Sequence, residues 1–131
     1  MRIFEPIPSH VERVAKETIG AALHVHRVLG PGFLERVYQQ ALCIELQLRG
    51  IAFERERPVI VYYRGVAIPG QRIDLIVEAC LVLELKAASK FATDSHDGQV
   101  ISYLRTTGLR LGLVMNFGCP TLKEGIRRIV V

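Results

Sequence analysis

The run Ile73-Asp74-Leu75-Ile76-Val77-Glu78-Ala79-Cys80-Leu81-Val82-Leu83-Glu84-Leu85-Lys86 decides how this chain folds. Two aliphatic, β-branched stretches flank the short break Glu78-Ala79, the pattern of two strands joined by a tight turn. Side chains alternate between the faces of a strand. Ile73, Leu75 and Val77 then share one face, and Asp74 points to the other. Leu81, Leu83 and Leu85 likewise share a face, while Val82, Glu84 and Lys86 take the opposite one. Two adjacent strands thus bring an Asp, a Glu and a Lys to a single face. Charges on strands this apolar cost several kcal/mol unless they are paired or bound to a metal. Two carboxylates beside a lysine are an oxygen-donor set suited to Mg²⁺, which takes a few carboxylates and keeps its waters. A salt bridge from Lys86 to Asp74 or Glu84 on a half-solvated face accounts for the same residues.

Outward from this run, glycine and proline punctuate the chain. Ser9 or His10 opens a helix whose stripe is Val11, Val14, Thr18, Ala21, Val25 and Val28. A second stripe, Ala15, Ile19, Ala22 and Leu29, widens the buried face. Gly30-Pro31-Gly32 ends that helix. A second helix spans about Phe33 to Arg49, with Leu34, Val37, Ala41, Ile44 and Leu48 as its stripe, and stops at Gly50. Phe53 to Tyr63 and Val66 to Val77 read as strands joined by a hairpin turn at Arg64-Gly65, with a bulge or bend at Pro69-Gly70. Cys80 to Lys86 is a third strand. Ser95 or Asp97 starts a helix to about Thr107, and Leu109 to Asn116 is an apolar strand of the kind buried on both faces. Thr121 to Val131 fits either a short helix or a last strand. The order ααβββαβ predicts an α/β domain with one small mixed sheet flanked by helices.

Composition bounds what such a domain can be. With 131 residues, half of them apolar and 23% charged, the chain predicts one domain over residues 1–131 and excludes disorder. A mean hydropathy of +0.26 raises the question of a membrane span. The most apolar stretch, Ile73 to Leu85, is interrupted by Asp74, Glu78 and Glu84 and is shorter than the roughly 20 residues a spanning helix needs. No membrane partner is expected. The net charge is 17 − 13 = +4, which suits a nucleic-acid partner and an ordinary basic protein alike. Cys43, Cys80 and Cys119 are odd in number and form no C-x-x-C pair, so a reducing compartment and buried thiols are expected. The opening Met1-Arg2-Ile3-Phe4-Glu5-Pro6 lacks an apolar signal core, and the expected location is cytoplasmic.

The helices add polar residues whose reading stays open at this level. Glu35 and Tyr38 are three apart and share a helix face, as do Gln99 and Tyr103 at a spacing of four. Glu35 in a first turn also complements the helix dipole, and Gln99 and Tyr103 also suit surface positions. His26 falls on the apolar stripe, either as a buried histidine donating to a backbone carbonyl or as a ligand or proton shuttle. His24 reads as solvent-facing, and His96 and Asp97 as a cap or as cleft lining. Arg55, Arg57, Arg64, Arg72, Lys90 and Arg105 are candidates to follow a nucleic-acid backbone.

Gly32-Phe33-Leu34-Glu35-Arg36-Val37-Tyr38 fits the G-x-x-E-x-x-Y signature of the GxxExxY protein family. Asp74, Glu84-Leu85-Lys86 and Gln99-Val100-Ile101-Ser102-Tyr103 resemble the D…E-x-K…Q-x-x-x-Y pattern of the PD-(D/E)XK nuclease superfamily, in which that family is usually placed. The resemblance runs from about Val11 to the C-terminus. Ile73 stands where a proline often precedes the aspartate. The resemblance implies a restriction-endonuclease-like core and metal-assisted phosphodiester hydrolysis. It implies Asp74, Glu84 and the backbone carbonyl of Leu85 as ligands to Mg²⁺ or Mn²⁺, with Glu35 as a ligand or close neighbour. Lys86 would orient or deprotonate the attacking water, and Gln99 and Tyr103 would steady the metal or the phosphate. The expectation is a nuclease acting on nucleic acid, on DNA rather than RNA, alone or as a homodimer or larger assembly. A non-catalytic nucleic-acid-binding module and a metal-binding or structural protein are the alternatives.

Overall fold

The computed structural model describes residues 5–89 and 95–131; Lys90 lies outside them. Ser9–Leu29 form α1 and Glu35–Leu48 form α2. The strands Phe53–Tyr63 (β1), Val66–Val77 (β2) and Leu81–Lys86 (β3) follow. Ser95–Thr107 form α3, Leu111–Asn116 form β4, and Ile126–Val130 form β5. The C-terminal segment is both a helical turn and a strand, because a short 3-10 turn at Leu122–Gly125 runs into β5. No described helix is long and apolar enough to cross a membrane.

The five strands stand in chain order, β1-β2-β3-β4-β5. Two-residue turns join only antiparallel neighbours, whereas a parallel pair needs a long crossover. Accordingly β3 and β4, separated by α3, are parallel, and the other neighbours are antiparallel. Arg64 (φ 50°) and Gly65 (φ 82°) make the hairpin turn between Tyr63 and Val66. Both lie in the left-handed region that matches the twist of the flanking strands. The predicted bulge is present: the register shifts between Val59↔Gln71 and Val61↔Ile68, so Pro69 and Gly70 stand opposite the single Ile60.

Each face of the sheet has its own core. Leu75, Val77, Leu81, Leu83, Leu85, Leu113 and Met115 pack against α1 and α2 through residues such as Val25, Leu42 and Leu46. Val82, Val114 and Ile76 pack against Val100, Tyr103 and Leu104 of α3. All six residues of β4 are buried, as its unbroken apolar character predicts. Gly112 lets α3 close onto β4, since a Cβ there would lie 2.5 Å from Val100 Cγ1.

Three expectations are corrected. Ile73 does not share a face with Leu75 and Val77; it packs with Ile76 in the α3-side core. The alternation breaks at Asp74, opposite Glu56, whose φ of 50° interrupts the regular ladder. The predicted stripe of α2 is its outer side: Leu34, Ile44 and Leu48 are exposed, and Tyr38, Gln39, Leu42, Cys43 and Leu46 are buried. That helix is apolar on two sides, and the docking of Tyr38 on Phe117 (ring centroids 4.7 Å apart, stacked) belongs with the inward side. Val28 of α1 is likewise exposed.

Candidate active site

The site begins where two strands part. β2 and β3 pair only across Leu75↔Leu83, Ile76↔Val82 and Val77↔Leu81. Beyond that point Asp74 reaches across the fork, and its Oδ2 accepts the Leu85 N–H at 2.8 Å. Glu84, one residue earlier on β3, is 3% exposed, and its Oε2 lies 3.1 Å from Lys86 Nζ. Its Oε1 is buried with no hydrogen-bond partner among the described residues. An orphaned carboxylate oxygen inside a protein is costly.

Electrostatics ties the carboxylates together. Burial, then the charge of Asp74, raises the Glu84 carboxyl to about 7, outweighing the neighbouring Lys86. Burial also raises Asp74, against the pull of the Leu85 N–H and of Lys86. Glu35, at the first turn of α2, is exposed as a residue; partial burial of its carboxyl and the charge of Asp74 still raise it. Burial opposes the charge on Lys86, but Glu84, Glu35 and Asp74 prevail and hold its pKa above the usual lysine value. Three carboxylates from α2, β2 and β3 and one lysine therefore form a single electrostatic cluster.

The helix α3 supports this cluster from the other side. Tyr103 is 1% exposed; its hydroxyl donates to the Arg72 carbonyl at 2.9 Å and accepts from Gln99 Nε2 at 2.7 Å. It thus pins α3 to β2 two residues before Asp74. Burial, then the charge of Glu84, raises its phenol. Asp97, in the first turn of α3, makes a two-pronged ion pair with Arg127 of β5. His96 stands close enough to Lys86 for that charge, after burial, to lower its pKa.

A family model for the PD-(D/E)XK nuclease superfamily matches residues 12–129. The chain belongs to the PD-(D/E)XK nuclease superfamily. No curated protein and no solved structure matches it. Proteins of the PD-(D/E)XK superfamily are usually nucleases, typically using divalent metals such as Mg²⁺.

The atoms of this PD-(D/E)XK site bear on whether it suits such a metal. No group of three or more His, Cys, Asp or Glu side chains among the described residues is gathered into a ready-made metal cluster. Mg²⁺ does not need one, since it is held through one or two carboxylates and keeps several waters. A cation held by these carboxylates would relieve both the orphaned Glu84 Oε1 and the mutual repulsion of Glu84 and Asp74. The residues fit.

Two expected candidates are committed elsewhere in this PD-(D/E)XK fold. The Tyr38 hydroxyl donates to the Gly30 carbonyl and accepts the Phe33 N–H at 3.1 Å, fastening the turn that delivers Glu35. His26 Nε2 lies 3.2 Å from the Phe117 carbonyl and 3.0 Å from the Cys119 carbonyl, and so it carries the proton and donates. It is the buried histidine rather than a ligand through that nitrogen. Two positioning residues escaped the sequence reading. Asn116, 1% exposed, accepts the Ala88 and Gly118 N–H groups, both at 3.0 Å, and stands beside Lys86 in the parallel ladder. Its signal was a lone polar side chain closing an apolar strand. Gly118 approaches the Ala88 backbone so closely that a Cβ would lie 2.1 Å from its oxygen.

Proposed function

We propose that this chain is a divalent-metal-dependent nuclease of the GxxExxY kind that hydrolyses phosphodiester bonds in DNA, with residues 1–131 acting as one domain. The observation that carries the reading is the buried Glu84 with the half-buried Asp74 and Lys86 beside it, an arrangement costly to keep as a salt bridge alone because Glu84 Oε1 has no partner among the described residues.

Asp74, Glu84 and the Leu85 carbonyl would hold Mg²⁺ or Mn²⁺, with Glu35 at the mouth as a further oxygen donor. Such an ion, when bound, polarises a phosphoryl oxygen and lowers the pKa of its water. The ammonium of Lys86 orients the attacking water and offsets charge growing on the non-bridging oxygens. Glu84 enters the reaction ionised, so it sheds the proton that burial favours. Gln99, whose amide donates to the Tyr103 hydroxyl, would steady the metal or the phosphate. Tyr38 and Tyr103 are positioning residues, fixing Glu35 and Asp74 from α2 and α3.

Purified protein incubated with labelled single- and double-stranded DNA and RNA, in Mg²⁺, in Mn²⁺ and in chelator, tests this reading. DNA cleavage that needs metal and falls about 10²–10³-fold in Lys86→Ala is expected, the range for loss of one transition-state contact. Cleavage that persists in chelator, or unchanged in both Lys86→Ala and Glu84→Ala, overturns the mechanism. Binding without cleavage under every condition makes the chain a nucleic-acid-binding module.

A further inference from the structure

The hairpin of β1 and β2 is longer than the sheet needs. β1 has 11 residues and β2 has 12, but β3 pairs with β2 only over Leu75–Val77. From Asp74 outward the hairpin is therefore a two-stranded arm, about 25 Å long at ~3.3 Å per residue over the eight residues to Val66. Val59 at its root is buried against α3, and beyond it both faces are open. Tyr62 and Tyr63 are 70% and 65% exposed and, being consecutive, point to opposite faces. Val61, Val66 and Ile68 are exposed as well. An exposed apolar patch of this kind marks an interaction site.

The composition of the arm narrows the partner. From Arg57 to Ile73 the chain has no acidic residue, with Arg64 at the tip and Arg57 and Arg72 at the root. From Pro58 to Gly70 the only polar side chains are Tyr62, Tyr63 and Arg64, so there is almost nothing with which to read base edges in a duplex groove. Aromatic rings beside arginines are instead the means by which unpaired bases are held, stacked on π-faces without sequence preference. Arg72 lies two residues from Asp74 on the same strand, which makes the arm a continuation of the site.

We propose that the β1–β2 arm binds single-stranded nucleic acid, stacking unpaired bases on Tyr62 and Tyr63 at its tip, farther along the same strand from the phosphate presented to Asp74 and Glu84. This rests on the nuclease reading for its link to cleavage, but the binding stands apart from it. Fluorescence anisotropy of a labelled single-stranded oligonucleotide and of its duplex, in chelator with the full chain, measures the binding without turnover. The expected result is tighter binding of the single strand and about a tenfold or greater loss of affinity in Tyr62→Ala/Tyr63→Ala. Tyr62→Phe/Tyr63→Phe, which keeps the rings, should bind as the parent does. Both positions are exposed, and an unchanged melting temperature verifies that the alanine variant folds. Three outcomes overturn the proposal: equal binding by the alanine variant, preference for the duplex, or conversion of a dimer to a monomer in sedimentation. The last would make the arm a contact between two copies of this chain. Arm-dependent binding with no cleavage in any metal supports the arm and sinks the nuclease reading. Metal-dependent cleavage with arm-independent binding does the reverse.

Discussion

The carboxylate of Asp74 accepts the backbone N–H of Leu85 at 2.8 Å, at the point where β2 and β3 have ceased to pair. One side chain therefore closes a backbone fork and supplies charge to the site, and two substitutions separate these roles. Asp74→Asn keeps an acceptor and loses the charge. It should melt close to the parent while cleavage falls at least about a hundredfold, the upper end of what loss of an outer-shell partner costs. Asp74→Ala also strands the Leu85 N–H and should cost about 1–3 kcal/mol in denaturant unfolding. Equal activity in the asparagine variant and the parent would rule Asp74 out as a ligand.

Glu84 gives the metal-free protein a distinctive pH dependence. Its carboxyl is raised to about 7 in the fold from 4.5 when free. Between those values the folded state holds the proton more tightly than the unfolded state, so stability falls as pH rises through this window. Below it both states are protonated, and the contribution is flat. Thermal melts in chelator from pH 4 to pH 8 should show this loss, and Glu84→Gln should reduce it, leaving the part that the raised Asp74 and Glu35 carboxyls contribute. Added Mn²⁺ should restore stability most at the alkaline end, because the metal needs the ionised carboxylate.

Tyr103→Phe tests positioning. The hydroxyl bonds the Arg72 carbonyl and Gln99 and is spent on neither solvent nor a free site. Its removal should cost about 1–2 kcal/mol of stability. It should lower kcat about ten- to hundredfold with metal affinity and KM nearly unchanged. A large change in KM with kcat intact would instead place the phenol against substrate.

Glycine substitutions check the loop packing behind the site. Gly118→Ala would set a Cβ 2.1 Å from the Ala88 oxygen and 2.6 Å from its carbonyl carbon, and backbone cannot yield cheaply. A loss of about 1–3 kcal/mol or more is expected. Gly98→Ala, in α3 with nothing among the described residues within 4 Å of the added Cβ, should instead stabilise by about 0.5–1 kcal/mol. Chemical denaturation of the two variants should move in opposite directions.

The strand and helix order was legible from the sequence because period and punctuation are local. The I′-type turn at Arg64-Gly65, the bulge at Pro69-Gly70 and the all-buried β4 need only neighbouring residues to specify them. The leucine face of β3 was equally plain, since Leu81, Leu83 and Leu85 leave Glu84 and Lys86 the other side. What failed was the assignment of faces wherever both were apolar. In α2 the stripes Leu34–Ile44–Leu48 and Tyr38–Leu42–Leu46 are similar in hydrophobicity, and only packing against the sheet chose the second.

The sequence by itself determined that two carboxylates and a lysine would sit on neighbouring strands of an α/β domain, because burying such charges on apolar strands needs a reason. Tertiary structure alone decided what surrounds them. Hydrogen-bond partners distant along the chain assigned His26 to the carbonyls of Phe117 and Cys119 and Tyr103 to Arg72, and nearer ones assigned Tyr38 to its turn. Packing, which no spacing rule conveys, buried Glu84 in a place where one oxygen has no partner among the described residues.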